Sequence, residues 1–195
     1  MKNGTGKRRT RQNVNEALHV LMLEKPYDSI TVQDLLDRSS VSRSTFYSHF
    51  DNKDDVLVSY HAGFWEHISK ACMRWEDGSL IIAPVAALAA HLQEETYREF
   101  ALSLIRAGRM PALRALALDH LSVRFESELM QIAGGREPRV PLDVTARFIA
   151  TTCFDMVIWG VESGASHTPA QMEAMFQKLV QPSIESALGI SLRHI

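Results

Sequence analysis

Two helix starts fall eleven residues apart in ITVQDLLDRSSVSRSTFYSHFDNK, residues 30–53, and this constrains the fold more than any other feature of the chain. Thr31 can cap the first helix, with Asp34 three residues later as the capping-box acid. Ile30 and Leu35 sit where a hydrophobic staple fixes the entry angle, and Ser42, Val41 and Phe46 repeat the arrangement for the second helix. Helices over about 31–39 and 42–49 are each too short to persist alone in water, so tertiary packing must hold both. The turn Ser39-Ser40-Val41 between them completes a helix-turn-helix.

The flanking sequence supplies the support. Val14, Leu18, Leu21 and Met22 recur at helical spacing in a helix over about 11–24, which Pro26 ends. Leu35, Leu36, Val41, Phe46 and Phe50 can pack against that face. Asp51 is expected to cap a third start, and a helix over 54–75 follows, ending near Glu76-Asp77-Gly78-Ser79. The remainder is helical by pattern, with breaks at Pro84, Gly108/Pro111, Gly134 to Pro141 and Gly164 to Pro169, and with no strand alternation. The fold class is therefore all-α. A flexible basic arm (1–10) precedes a three-helix helix-turn-helix head (11–53), a connecting helix (54–75) and a larger helical domain (76–195).

Charge is distributed in a way that matters for such a head. The net charge is −2, yet residues 1–53 hold nine Lys/Arg against six Asp/Glu, leaving twelve against seventeen for the rest. Lys2, Lys7, Arg8, Arg9 and Arg11 all precede the first acid. Such an arm is either a solvated tail or, beside a reading element, a nucleic-acid contact. With the aromatics turned inward, the second helix keeps Ser42, Arg43, Ser44, Tyr47 and Ser48 on its outer face. Small hydroxyls let a helix approach DNA closely, and arginine can donate in parallel to guanine O6 and N7.

The run Ile30-Thr31-Val32, Leu35, Val41-Ser42, Thr45-Phe46-Tyr47, Phe50, Lys53 and Leu57 closely resembles the DNA-binding segment of the TetR (tetracycline repressor) family of bacterial transcription factors. The resemblance covers roughly residues 10–60. It departs at Ser40, where the family often has Gly. It implies that Arg43 and Ser44 read bases near the start of the recognition helix, with Gln33 as a third base contact. Thr31, Ser42, Thr45, Tyr47, His49 and Lys53 complete the DNA-binding set, mostly at positions that hold phosphates. Lys53 opposes the dipole of its own helix, a cost that a phosphate would offset, or it pairs with Asp54. His49 can equally serve the core, and a core role is the alternative for Tyr47.

By the same resemblance, the larger domain carries dimerisation and a small-molecule cavity. Met172, Met175, Phe176, Leu179, Val180, Ile184 and Leu188 form an apolar stripe suited to pairing two copies on a palindromic operator in double-stranded DNA, whose half-sites lie about 34–36 Å apart. Phe100, Leu104, Met110, Leu121, Phe125, Met130, Phe148 and Met156 are candidate cavity walls or plain core. Asp155 interrupts an apolar run, so it faces water, pairs with a cation or meets an effector.

Other classes fare worse. The sequence has no HExxH, Walker A, GxGxxG or GxSxG motif, so no enzyme, cofactor or metal is expected. Cys72 and Cys153 lie far apart, which favours a reducing cytoplasm over a disulfide framework. No apolar run reads as membrane-spanning. A homodimeric repressor released by a small molecule is the favoured reading. A regulator without an effector and an all-α interaction module remain the alternatives.

Overall fold

The computed structural model describes residues 3–68, 74–76, 79–81, 84–164 and 166–192. Among them the helices are α1 (Asn3–Glu24), α2 (Val32–Ser39), α3 (Arg43–Tyr47), α4 (Lys53–Ile68), α5 (Pro84–Gln93), α6 (Glu95–Arg106), α7 (Met110–Ala133), α8 (Leu142–Glu162) and α9 (Pro169–Leu188). A 3-10 turn, Tyr27–Ser29, joins α1 to α2. Strands β1 (Arg74–Glu76) and β2 (Ser79–Ile81) pair antiparallel, with Trp75 opposite Leu80. Among the described residues the fold is all-α apart from this hairpin.

Two local readings change. Residues 3–10 are not an unstructured arm but the first turns of α1, where Thr10 Oγ1 donates to the Gly6 carbonyl at 3.1 Å. The good helix formers Lys7, Arg8, Arg9 and Arg11 outweigh the two glycines there. The connecting helix is also shorter than expected: α4 ends at Ile68, residues 69–73 lie outside the described set, and the hairpin stands where the helix was expected to finish. Asp-Gly at 77–78, with Trp75 and Leu80 two positions to either side, is a hairpin signal in the sequence, although Asp77 and Gly78 lie outside the described set.

The chain divides into two compact units, Met1–Phe64 with Thr96–Leu113, and Trp65–Glu95 with Arg114–Ile195. This differs from a single boundary near residue 76 because part of the later sequence packs with the head. Val14, Leu18, Leu21, Tyr27, Ile30, Leu35, Phe46, Phe50 and Leu57 form the head's core, and Leu104 and Leu113 are buried in it.

In the second unit α5, α8 and α9 pack on one another. Gly160 of α8 permits close approach to α9, since a Cβ there would lie 2.6 Å from Met172 Cε. Helix α9 starts with a Thr168–Gln171 capping box and Pro169, and ends at Gly189 with φ +67°. Five residues of the apolar stripe expected to pair two copies, Met172, Phe176, Val180, Ile184 and Leu188, are buried within this unit, while Leu179 is exposed. By length and composition α8 could cross a membrane, contrary to the sequence reading, but half of its apolar window is buried inside the protein. A core helix has that property too.

Candidate nucleic-acid interface

Both short helices of the head begin on their expected caps. Thr31 Oγ1 accepts from the Asp34 amide at 3.1 Å, and Asp34 Oδ2 accepts from the Thr31 amide at 2.7 Å, closing the capping box. The Thr31 hydroxyl also donates to Asp34 Oδ2 at 2.8 Å. Lys25 approaches the same carboxylate at 2.8 Å and, with the Thr31 contacts, holds the Asp34 carboxyl well below the usual carboxylate range. Ser42 Oγ accepts from the Thr45 amide at 3.2 Å to start α3. Ser40, between the helices, takes φ +54° and ψ +29°, the left-handed conformation at which glycine is favoured.

Helix α3 is sharply two-sided. Phe46 is fully buried and Phe50 nearly so, their rings 5.5 Å apart. Ser42, Arg43, Ser44, Tyr47 and Ser48 are exposed. Tyr47 lies edge-on to Phe46 at 5.4 Å yet leaves nearly half of its surface in solvent, so it belongs to the outer face rather than the core. Thr45 Oγ1 is 2.8 Å from Ser42 Oγ, which ties the hydroxyls of the first turn together. His49 is half-buried, its ring tilted against Phe50. Arg11 of α1 lies 5.3 Å over the Phe50 ring and donates to the His49 carbonyl at 3.4 Å. Part of the basic N-terminal segment thereby sits beside the end of α3.

The base-reading candidates of α2 and α3 are brought together. Arg43 Nη2 donates to Gln33 Oε1 at 2.8 Å, and Gln33 Nε2 donates to Asp37 Oδ1 at 2.7 Å. All three side chains are exposed. The sequence reading missed Asp37, although its i, i+4 spacing from Gln33 places the two on one helix face.

Lys53 is placed differently from expectation. Its ammonium reaches back to the carbonyls of Tyr27 (3.0 Å), Asp28 (3.3 Å) and Ile30 (2.9 Å), and lies 4.5 Å from the Tyr27 ring centre. Three carbonyl acceptors match the three ammonium hydrogens, so in this arrangement the lysine braces the turn before α2 rather than pairing with Asp54. Asp54 instead accepts from the Tyr27 hydroxyl at 2.6 Å and pairs with Arg109 at 3.0 Å. Burial, reinforced by Asp54, pushes the Tyr27 phenol far above its ordinary value. The cap of α4 also shifts by one residue: Asn52 Oδ1 accepts from the Asp54 and Asp55 amides at 2.8 and 3.1 Å, while Asp51 donates its own amide to Asp55.

The expected effector-site residues do not share one environment. Leu104 is buried in the head's core, and Phe100 and Met110 pack against that core. Phe100 also borders a cavity of about 210 Å³ on the head, with Met22, Pro26 and Ser103. Leu121 and Phe125 are fully buried in the second unit, Met156 is half-buried, and Met130 and Phe148 are exposed. Asp155 is exposed and bidentate with Arg114, both contacts at 3.0 Å, which raises the arginine's already high pKa. The alternative of surface pairing thus accounts for Asp155. Among the described residues no group of three or more His, Cys, Asp or Glu could hold a metal ion.

Residues 16–60 match the family model described as bacterial regulatory proteins, tetR family. The chain is 40% identical over 175 residues to an uncharacterized HTH-type transcriptional regulator, YxbF, of Bacillus subtilis strain 168, covering 86% of this chain. It spans only 43% of that relative's length. Among solved structures, the TetR family repressor AlkX from Dietzia sp. strain DQ12-45-1b superposes with a TM-score of 0.63 at 19% identity, covering 91% of this chain and 96% of the other. RolR in complex with resorcinol gives 0.62 at 16% identity, covering 95% and 96%. These structures share the fold of an N-terminal helix-turn-helix followed by a larger helical domain. The family-model match assigns the segment that builds the capped and two-sided helix pair, residues 16–60, to the TetR family of bacterial regulatory proteins.

Proposed function

We propose that this chain is a sequence-specific DNA-binding transcriptional regulator, acting as a homodimeric repressor that a small-molecule effector releases from a palindromic operator. The observation that carries the DNA-binding part is the exposed hydroxyl-arginine face of α3. Phe46 and Phe50 anchor the helix from behind, which leaves Ser42, Arg43, Ser44 and Tyr47 open to a major groove. Had Arg43 and Ser44 been covered by the protein's own surface, this reading would have no basis. A binding module, rather than an enzyme, is the role these features support.

Arg43 and Ser44 are the base readers in this proposal. Thr45, Tyr47, His49 and Ser42 hold the backbone, and Thr31 contributes mainly by fixing the start of α2. Lys53 acts by bracing the turn before α2. The expected experiment is selection of bound sequences from a random DNA pool, followed by titration of Arg43→Ala. The variant should lose roughly 1–3 kcal/mol on the selected site and relax one base pair, with little loss on unrelated DNA. Unchanged sequence preference in the variant would refute the assignment.

Dimerisation is assigned to the outward faces of α8 and α9, since most of the α9 stripe already serves its own subunit. Effector control rests on less: a relative of the same fold carries resorcinol, and any effector must bind the two DNA-spacing states of the dimer unequally. Helix α4 continues from the head into the second unit and is the proposed lever. Ligands found by thermal shift that leave operator affinity unaltered would remove the coupling.

A further inference from the structure

Asp37 is an acid on the surface that the proposed function turns toward DNA. A carboxylate there repels every phosphate alike, so it contributes to selectivity only by holding another group in place. Its observed partner is the Gln33 amide, at 2.7 Å, and the other end of that amide meets Arg43 at 2.8 Å. We infer that Asp37 is a positioning residue for DNA reading, which locks Gln33 so that Gln33 in turn holds the Arg43 guanidinium over its base pair.

The chemistry of the amide makes the lock directional. Gln33 offers an acceptor at Oε1 and two donors at Nε2. In the observed orientation, Oε1 faces the arginine donor and Nε2 faces the carboxylate. Rotating the amide by half a turn would set donor against donor at Arg43 and acceptor against acceptor at Asp37. Both contacts would become repulsive, so the two charged neighbours fix one orientation.

The same count bears on what Gln33 can read. A glutamine recognises adenine through both its oxygen and its nitrogen at once. Here the oxygen already accepts from Arg43 and one Nε2 hydrogen is given to Asp37. Gln33 is therefore a bracket rather than a bidentate base reader. Arg43 spends a single Nη2 hydrogen on it and keeps four donors, enough for the parallel pair that guanine O6 and N7 require. An arginine held this way loses less rotamer freedom on docking than one swinging freely.

This rests on the DNA-binding reading, and the test separates the two. Base preference is measured by competition among operators randomised at the Arg43 base pair, for the wild type, Arg43→Ala, Gln33→Ala, Asp37→Ala and Asp37→Asn. Asp37→Ala and Gln33→Ala should each lower the preference for guanine roughly three- to ten-fold, the range of one ordered side chain. A protein carrying both Gln33→Ala and Asp37→Ala should lose no more than either single variant. Asp37→Asn, whose amide oxygen still accepts from Gln33, should keep the preference while binding all sequences more tightly, because a repelling charge is gone. Three results overturn the inference: preference kept in Asp37→Ala, preference lost equally in Asp37→Asn, or a change at a different base pair, which would make Asp37 a direct reader. If Arg43→Ala itself keeps the wild-type preference, the parent reading fails along with the inference.

Discussion

Helix α3 turns Ser42, Arg43, Ser44 and Ser48 to solvent, whereas α8 and α9 turn out Val144, Phe148, Trp159 and Leu179, each 44–62% exposed. The inward sides are alike, since Phe46 in α3 and Phe176 in α9 are both fully buried. The difference therefore lies in what each helix leaves uncovered. Hydroxyls and a guanidinium cost little in water and fit a polar, charged partner. Large apolar side chains on one end of a fold are ordinary when scattered, but several on two adjacent helices fit a second apolar surface. In the proposed function, nucleic acid finishes the one region and another copy of the chain the other.

The largest expected effects test whether inside and outside are divided as described. Phe46→Ala should destabilise the head by about 3–5 kcal/mol, as for other large-to-small changes at fully buried aromatic sites. The adjacent Tyr47→Ala should cost under about 1 kcal/mol in stability and show its effect in DNA binding instead. Chemical denaturation of the two variants gives the comparison directly. Equal losses would mean that both rings belong to the core. On α9 the corresponding contrast is Phe176→Ala, again about 3–5 kcal/mol, against Leu179→Glu. The latter should leave the fold intact and weaken self-association by about 2–3 kcal/mol, since a two-fold interface would bury the change twice. Sedimentation at micromolar concentration would reveal it as a shift from dimer to monomer. A wild type that already sediments as a monomer removes the interface proposal.

A smaller effect separates the head by pH. The His61 ring stacks near Phe100 at 6.4 Å, its Nδ1 donating to the Leu57 carbonyl at 3.0 Å, and desolvation lowers its pKa from 6.5 to about 4. The folded head thus holds this imidazole neutral, while the unfolded chain takes up a proton near 6.5. Its contribution is fully present above that pH and is lost progressively as the pH falls toward 4. Since the ring keeps some access to water, the loss between pH 8 and pH 5 should be about 1–2 kcal/mol. Thermal melts of the wild type and His61→Gln across that range should converge at low pH. Parallel curves would show that His61 titrates alike in both states.

How far each region could be read from sequence follows from the reach of the interactions involved. Thr31, Asp34 and Ser42 act over three residues, and the staples over five, so the start of each reading helix was legible from a short window. Asp51 and Asn52 are both good caps standing side by side, and nothing local decides that Asn52 accepts the two amides. Lys53 shows the limit more clearly. Its carbonyl partners lie 23 to 26 residues earlier, and only the folded turn brings them within reach. In the second unit the difficulty is chemical rather than one of distance. Leu121, Phe125 and Met130 read alike as apolar residues on a helix, yet two are buried and one is exposed. Leu104 and Met110 were assigned to the wrong region because nothing in the sequence marks residues 96–113 as partners of the head.

The smallest expected effect concerns the joint that keeps the two reading helices at their angle. Ser40 is the one residue other than glycine with a positive φ among those described. An L side chain in that conformation crowds its own carbonyl, which costs about 1–2 kcal/mol, and glycine avoids the crowding while giving back some of the gain as unfolded-state entropy. Ser40→Gly should therefore stabilise the head by about 0.5–1 kcal/mol, and Ser40→Val should destabilise it by at least as much. If the turn only links the helices, operator affinity will follow stability in both variants. Should Ser40→Gly raise the melting temperature yet weaken specific binding, the serine's strain is holding α2 and α3 at the angle that lets Gln33 and Arg43 meet. The contrast between the inward and outward faces of the head would then depend on its turn as well as its core.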